Sequence, residues 1–169
     1  MMNGKIIKAT ADDSPTISNI LAKTWRIAYK GIVPQSYLNS LPDDYWSDPF
    51  RNWINNNLLT AWLICENAVP VGCIAYGHSR EEKFSNWCEI VSIYVLPGYW
   101  RKGYGRSLLE KALSDLAQKG YRHCYLWVLK ENYRARKFYE KHGFRCNQDE
   151  YYMEIHNKVV TGVRYVTAL

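Results

Sequence analysis

The sequence predicts an α/β fold in which a mixed sheet of about seven strands carries helices on both faces. Apolar residues alternate with period two in several short stretches, and apolar residues at helical spacing separate many of these stretches. Antiparallel neighbours followed by a β–α–β unit favour a mixed sheet over a purely parallel one. No repeat, linker or low-complexity segment is visible, so we expect a single domain over residues 1–169.

The first half of the chain is predicted to contain one strand, several helices and a hairpin. Asp13 and Ser14 precede Pro15, which is the composition of a helix start with a capping residue before a first-turn proline. The predicted elements are a strand at 5–9, a helix at 14–29, a short helix or turn at 34–41, a further helix capped by Asp43 or Asp48 and carrying Phe50, Trp53, Ile54 and Leu58, and hairpin strands at 61–66 and 71–76.

The second half is predicted to continue as strand, helix, strand, helix and two final strands. Gly120 and Gly143 mark helix ends, because glycine readily adopts the left-handed conformation found there. The predicted elements are a strand at 89–95, a helix ending near 119, a strand at 123–129, a helix at 132–142, and two strands after 144 that separate near 156–162.

The stretch from Glu89 to Leu109 changes its period in the middle. Its first part is β-branched and aromatic and is predicted to place Val91, Ile93 and Val95 on one buried face. A proline–glycine pair ends this strand, and a basic loop with two glycines leads into the next helix. Free backbone N–H groups and the positive end of the helix dipole attract anions at such a position. The sequence therefore predicts an anion site in this loop.

Composition limits the possible partners. The net charge of +6 suits an anionic ligand, but it is not concentrated in one run, so we expect no nucleic-acid partner. No apolar run approaches the roughly 20 residues that cross a bilayer, and the N-terminus has no signal-peptide core. The five cysteines are scattered without a C-x-x-C pair, which is typical of reduced thiols in a cytoplasmic protein. The four histidines are isolated, so no metal site is expected.

Two motifs in the second half occur in a fixed order. The loop with Gly103 and Gly105 fits neither Walker A nor the Rossmann fingerprint, but it resembles the [Q/R]-x-x-G-x-[G/A] loop of the GNAT superfamily of acetyl-CoA-dependent N-acetyltransferases. Trp100 departs from that pattern, since Gln or Arg is usual there. Asn132 to Phe144 resembles the second signature of the family, N-x-x-A-x-x-x-Y-E-K-x-G-F. The resemblance implies a mostly antiparallel GNAT-like sheet that splays in its middle.

The resemblance also implies that acetyl-CoA is the cosubstrate. Backbone N–H groups of residues 101–106 are expected to bind its diphosphate, and the strand before the loop is expected to polarise the thioester carbonyl and pair with the pantetheine arm. The basic side chains of the loop are equally explained as a solvated face, and a serine or asparagine at these positions as a helix cap. The expected cofactor-binding residues are Ile93, Tyr94, Val95, Arg101, Lys102, Gly103, Tyr104, Gly105, Arg106, Ser107 and Asn132.

Two side chains are candidates for proton transfer. Glu89 lies eleven residues before Trp100, the spacing of the base glutamate in the histone-acetylating branch of the family. It is therefore a candidate general base, with acceptor binding or a structural pair with Arg or Lys as alternatives. Tyr139 matches the tyrosine that the family uses as the acid for the leaving thiolate, with a core tyrosine as the alternative. His78, on the loop after the hairpin, is a weaker candidate base.

The resemblance implies that the acceptor is a primary amine, which we expect to be a small molecule. A small amine, an amino-acid derivative, an antibiotic and a protein N-terminus all remain open as acceptors. By resemblance, the region of the first helix covers the acceptor side, where Trp25, Tyr29 and Glu89 are candidate substrate-binding residues. Dimers are common in the family, so a homodimer is possible. The alternative to an enzyme is a non-catalytic module that senses acetyl-CoA, and an open acceptor cleft beside Glu89 and Tyr139 would distinguish the two.

Overall fold

The computed structural model of the chain describes residues 4–169, which form one seven-stranded sheet with helices on both faces. The strands are β1 (Gly4–Lys8), β2 (Thr60–Glu66), β3 (Val69–His78), β4 (Cys88–Val95), β5 (His123–Leu129), β6 (Arg145–Ile155) and β7 (Lys158–Ala168). The helices are α1 (Ser14–Ala28), α2 (Gln35–Ser40), α3 (Ser47–Asn55), α4 (Tyr104–Gln118) and α5 (Tyr133–Lys141).

The sheet is mixed and mostly antiparallel, as predicted. Its strand order is β1-β2-β3-β4-β5-β7-β6, and β4–β5 is the one parallel pair within the described residues. Helix α4 makes the crossover between these two parallel strands. The crossover is needed because a parallel pair cannot be joined by a tight turn.

Two apolar cores lie on opposite faces of the sheet. Leu108, Leu109 and Ala112 of α4 pack on one face, together with Tyr139 of α5. On the other face, Ile17 and other residues of α1 pack with α3 against β2 and β3. Both helical stripes follow the spacing that the sequence predicted, and helices on both faces are confirmed.

The cap predicted for α3 is wrong. Trp46 occupies the N-cap position, and Leu58 lies beyond the end of the helix. Asp43 instead forms an ion pair with Arg26, at 2.7 Å between Nη1 and Oδ1, while its backbone carbonyl accepts the hydroxyl proton of Ser18. The aspartate is thus used to attach the connection before α3 to α1.

The break predicted at 156–162 is also wrong, because β6 and β7 are joined by only two residues. His156 and Asn157 have φ angles of +46° and +62°. Two successive left-handed residues match the twist of a two-residue hairpin. The polar composition of this region therefore marked a tight turn and not a longer loop.

A bulge in β4 changes which residues share a face. Ala75 pairs with Ser92 while the next residue, Tyr76, pairs with Ile90, so Val91 is the extra residue. Ile93 and Val95 consequently pack on the α4 face, whereas Val91 and Tyr94 pack on the α1 face. The prediction that Val91, Ile93 and Val95 lie on one face is wrong, since it assumed unbroken alternation.

Beyond this bulge, β4 and β5 separate. Their parallel pairing covers Cys88 to Ile90 opposite Cys124 to Leu126 and then stops. Strand β5 continues to Leu129 paired only with β7, and β4 continues to Val95 paired only with β3. The sheet is therefore splayed in its middle, and the edge of β4 from residue 91 to 95 has no strand partner on the β5 side.

Gly162 provides a test of how the β6–β7 hairpin is packed. A Cβ atom at this position would lie 1.9 Å from Cε1 of Tyr151, which is directly opposite in the register. We expect Gly162→Ala to lower the free energy of unfolding by about 1–3 kcal/mol, because the ring must leave its place on Trp127. Urea denaturation measures this loss.

A double-mutant cycle provides the control for this substitution. In a Tyr151→Ala background the clash is absent, and Gly162→Ala should then cost well under 1 kcal/mol. An equal loss in both backgrounds would show that the ring contact is not the cause.

Candidate active site

A cavity of about 750 Å³ opens where β4 and β5 separate, on the face covered by α1. Its wall combines aromatic, apolar and charged side chains from α1, the β3–β4 connection, β4, β5, β6 and β7. The bulge in β4 aligns Glu89, Val91 and Tyr94 along this wall. The cavity also brings in Trp25 and Tyr29, so the predicted acceptor-side residues lie together. A volume of this size suits a small molecule.

Glu89 is buried and carries an ion pair. Its side chain is 4% exposed, and Arg80 binds both carboxylate oxygens, at 2.9 Å from Nε to Oε2 and 2.6 Å from Nη2 to Oε1. The hydroxyl of Tyr125 donates a further hydrogen bond to Oε2, at 3.0 Å. The hydrogen bonds to Glu89 raise the pKa of the Arg80 guanidinium. Of the alternatives for Glu89, the structure displays the pair with an arginine, on the wall of the cavity.

A buried arginine, Arg164, organises another part of the wall. Arg164 is 4% exposed, and its guanidinium binds Glu81 at 2.5 Å and Asp149 at 2.8 Å. Its guanidinium carbon also lies 4.5 Å from the ring centre of Trp127, whose indole N–H donates to Glu81 at 2.8 Å. These ion pairs and hydrogen bonds compensate most of the desolvation cost of burying the guanidinium charge.

Three aromatic residues form a hydrogen-bonded group at the gap between β4 and β5. The hydroxyl of Tyr94 accepts the indole N–H of Trp25 at 3.1 Å and lies 3.0 Å from the hydroxyl of Tyr29. Burial raises the pKa of both tyrosines above the ordinary value, so both phenols stay protonated at neutral pH. The Tyr94 side chain therefore lies on the cavity wall, while its backbone belongs to the edge of β4 that faces β5.

Tyr139 lies on the other face of the sheet. Its side chain is buried in the core under α4 and α5 and is not part of the cavity wall. Burial is the main cause that raises its pKa, and the nearby phenol of Tyr94 adds to the shift. Within residues 4–169, the Tyr139 hydroxyl makes no hydrogen bond. Tyr139 and Tyr94 thus approach the gap from opposite faces.

The basic loop ends in an array of free amides. Arg101 and Gly103 have φ angles of +62° and +83°, and Gly103 is the N-cap of α4. The first helical hydrogen bond runs from the Ser107 amide to the Gly103 carbonyl, at 3.0 Å. Across the part of the chain that the structure describes, the backbone N–H groups of residues 101–106 donate no hydrogen bond. Such consecutive amides at a helix start form an anion site.

The side chains of this loop are divided between solvent and structure. Tyr104 is 3% exposed and donates its hydroxyl proton to Glu66, so only its backbone is available to a ligand. Lys102 lies 3.7 Å from the same glutamate. Arg106 forms an exposed ion pair with Glu110, 2.7 Å away, and Arg101 is exposed. Gly105 lies in the first turn of the helix.

Of the two predicted capping alternatives, the one for Asn132 is present and the one for Ser107 is wrong. The side-chain oxygen of Asn132 accepts the Ala135 amide proton at 3.2 Å, which is an N-cap on α5. Gly103 is the N-cap of α4, and the Ser107 hydroxyl, inside the helix, donates to the Gly103 carbonyl at 3.3 Å. Both residues have a structural role, and a ligand role for them stays a prediction.

Trp100, the departure from the family loop, attaches the loop to β4. Its indole N–H donates to the Val95 carbonyl at 2.6 Å, and Arg134 of α5 stacks 3.3 Å from the ring centre. Desolvation lowers the pKa of this guanidinium. Thr24 of α1 also donates to the Val95 carbonyl, at 3.4 Å. The carbonyl of Val95 therefore points to the side of β4 away from β3.

The sequence analysis missed several residues of this site. Arg80 sits in a polar loop whose composition carries no signal for its role. Arg164 did have a signal, because an arginine within an apolar strand must be paired if it is buried. His78, the weaker candidate base, is exposed and lies 3.0 Å from the hydroxyl of Tyr121, away from the cavity wall.

No group of three or more His, Cys, Asp or Glu side chains is arranged to hold a metal ion within residues 4–169. None of the helices described here has both the length and the apolar character that a membrane crossing requires. All five cysteines are free thiols, and Cys146 is the exposed one.

Comparison with known proteins gives consistent matches in sequence. Residues 19–144 match the family described as Acetyltransferase (GNAT) family. The chain is 30% identical over 126 residues to the uncharacterised N-acetyltransferase YuaI of Bacillus subtilis (strain 168), covering 74% of this chain and 71% of that protein. It is 26% identical over 150 residues to the spermidine N(1)-acetyltransferase of Thermoplasma acidophilum, covering 88% and 92%.

Solved structures share the fold. The PaiA N-acetyltransferase from Thermoplasma acidophilum, in complex with coenzyme A, superposes with a TM-score of 0.78 at 20% identity, covering 99% of this chain and 100% of that one. An N-acetyltransferase from Staphylococcus aureus Mu50 gives 0.77 at 19% identity, covering 99% of each chain. With the family match and the splayed sheet, these comparisons establish that the chain belongs to the GNAT family and is an N-acetyltransferase.

Proposed function

We propose that this N-acetyltransferase transfers the acetyl group of acetyl-CoA to the primary amine of a small acceptor bound in the cavity beside Glu89. The observation that carries the proposal is the run of free backbone amides at residues 101–106, directly after the unpaired edge of β4. The coenzyme A complex of the PaiA N-acetyltransferase, which shares the fold, supports the same cosubstrate here.

The two parts of this surface match the two parts of the cosubstrate. The amides at 101–106 and the dipole of α4 suit a diphosphate, with Arg101 and Lys102 adding positive charge. The edge of β4 suits the amide-containing pantetheine arm, which can pair there as an extra strand. Acetyl-CoA supplies an activated thioester, and the chain supplies its alignment.

The reaction requires the movement of two protons. A C–N bond forms and a C–S bond breaks, so an ammonium acceptor loses two protons, one to a base and one that ends on the thiol of CoA. Glu89 is the carboxylate on the cavity wall and is proposed to accept the first proton or to bind the ammonium. Tyr139, whose phenol stays protonated because burial raises its pKa, is proposed to donate the second.

The alternative function is a module that senses acetyl-CoA without catalysis. A sensor has no need for an acceptor cavity. The open cavity that reaches from α1 to β6 favours the enzyme, because it presents Glu89 and Tyr94 to a small molecule.

The proposal is tested by binding and turnover. Calorimetry should detect acetyl-CoA binding to the purified protein, and release of CoA thiol should be seen with at least one member of a broad amine panel. Binding without turnover across the whole panel would favour the sensor. If the protein neither binds acetyl-CoA nor releases CoA with any amine, the proposal is contradicted.

Gly103 tests the role of the loop. An L-residue in the left-handed conformation that Gly103 adopts costs about 1–2 kcal/mol, so Gly103→Ala should weaken acetyl-CoA binding by roughly 5- to 30-fold. Gly98→Ala is the matched control, because its Cβ would meet no atom within 4 Å. Calorimetry on both variants gives the comparison, and an equal effect in both would argue against a specific role for the Gly103 conformation.

Tyr139→Phe tests the proposed acid. Loss of the phenol should lower kcat by roughly 100-fold, the usual scale for a general acid, while the Kd for acetyl-CoA changes less than about 2-fold. Tyr165→Phe is the control, since it removes a hydroxyl from the same core that is bonded to Glu140 at 2.7 Å. It should lower stability without lowering kcat per folded molecule. A large loss of affinity at unchanged kcat would assign Tyr139 to binding.

A further inference from the structure

The ion pair between Arg80 and Glu89 joins a buried carboxylate on the cavity wall to a cation that is more than half exposed. The Glu89 side chain is 4% exposed, whereas that of Arg80 is 57% exposed and comes from the connection after β3. An acceptor ammonium that approaches Glu89 has to compete with this guanidinium. Acceptors should therefore bind well when they give the displaced Arg80 guanidinium a new partner.

The other carboxylates on the wall already have cations. Glu81 and Asp149 share Arg164, and Glu150 binds Lys130 at 2.6 Å. Lys130 is nearly as exposed as Arg80, but it binds a carboxylate that is itself 28% exposed, whereas Glu89 is the most buried of these four carboxylates, at 4%. A polyamine would bring two or more positive charges to a wall on which each of these four carboxylates already has a cation.

An acceptor that carries its own carboxylate would supply a new partner for the Arg80 guanidinium that its ammonium displaces from Glu89. Its ammonium can bind Glu89 while its carboxylate binds the displaced Arg80, so that one ion pair becomes two and no buried charge is left unpaired. Arginine is suited to this task, since its planar guanidinium binds a carboxylate with two parallel hydrogen bonds.

The remainder of the cavity indicates what else the acceptor carries. Besides the charged pairs, aromatic and aliphatic side chains line the cavity, among them Trp25, Tyr94, Trp127 and Tyr151, and the volume of about 750 Å³ exceeds that of a bare ammonium and carboxylate.

We infer that the acceptor is a free amino acid with an aromatic or large aliphatic side chain, acetylated on its α-amino group, and that Arg80 selects it by binding the carboxylate. This inference rests on the proposed function. Arg80 is a specificity-determining residue in this account, because it touches the substrate without exchanging a proton.

The test compares matched acceptors at saturating acetyl-CoA. Each of the twenty standard amino acids is assayed for CoA release, and every one that reacts is compared with its amide and its decarboxylated amine, such as L-phenylalanine with phenylalaninamide and phenethylamine. Spermidine is included as the polyamine. We expect kcat/KM for the free amino acid to exceed that of its two analogues and of spermidine by at least about 30-fold.

The outcomes separate this inference from the proposed function. If acetyl-CoA does not bind, the proposed function fails. If acetyl-CoA binds and the amide, the decarboxylated amine or spermidine reacts as well as the free amino acid, the inference is overturned while the proposed function stands. Absence of turnover with every amino acid overturns the inference as well.

Substitution of Arg80 provides the second measurement. Arg80→Gln should reduce the preference for the amino acid over its decarboxylated analogue to within about 3-fold, and Arg80→Lys should restore part of it. The ratio is measured on one preparation, so partial unfolding affects both acceptors equally. Lys83→Gln is the matched control, because it removes a positive charge from the same wall without touching Glu89. A preference unchanged in Arg80→Gln, or lost equally in Lys83→Gln, overturns the role of Arg80.

Discussion

The separation of β4 from β5 is the constraint on which the rest of this molecule depends. Three residue pairs hold the strands together, and then a bulge at Val91 turns β4 away. The unpaired backbone that follows would be costly if it were buried without a partner. Here it faces a gap between two strands, so it is available to an extended ligand. The same gap opens the cavity on the α1 face.

The bulge also determines which side chains of β4 lie on each face of the sheet. It places Glu89 and Tyr94 on the cavity side and leaves Ile93 and Val95 in the core under α4. Tyr139 comes from that opposite side and is close enough to Tyr94 for their phenols to influence each other. The gap between β4 and β5 is therefore reached by side chains from both faces of the sheet.

Ion pairs neutralise the charged side chains on the cavity wall. Two arginines neutralise three carboxylates on the cavity wall, one arginine deeply buried and the other exposed at its end. The buried pairs of Arg164 fix the wall, because breaking them would leave a buried charge without a partner. The pair with Arg80 has an exposed cation, which can exchange partners at lower cost. One cavity thus combines a buried, fixed set of ion pairs around Arg164 with an exchangeable pair at Arg80.

The sequence by itself determined the element order, the glycine loop at the start of α4 and the two signatures of the family, because all three are local patterns of spacing and composition. Only the tertiary structure decided that Val91 leaves the alternation, that Arg80 binds Glu89 and that Tyr139 lies outside the cavity wall. These facts depend on register and on side chains from distant segments. The alternation of apolar residues in the sequence does not indicate where a bulge interrupts a strand. The sequence around an arginine in a polar loop does not indicate which carboxylate it binds.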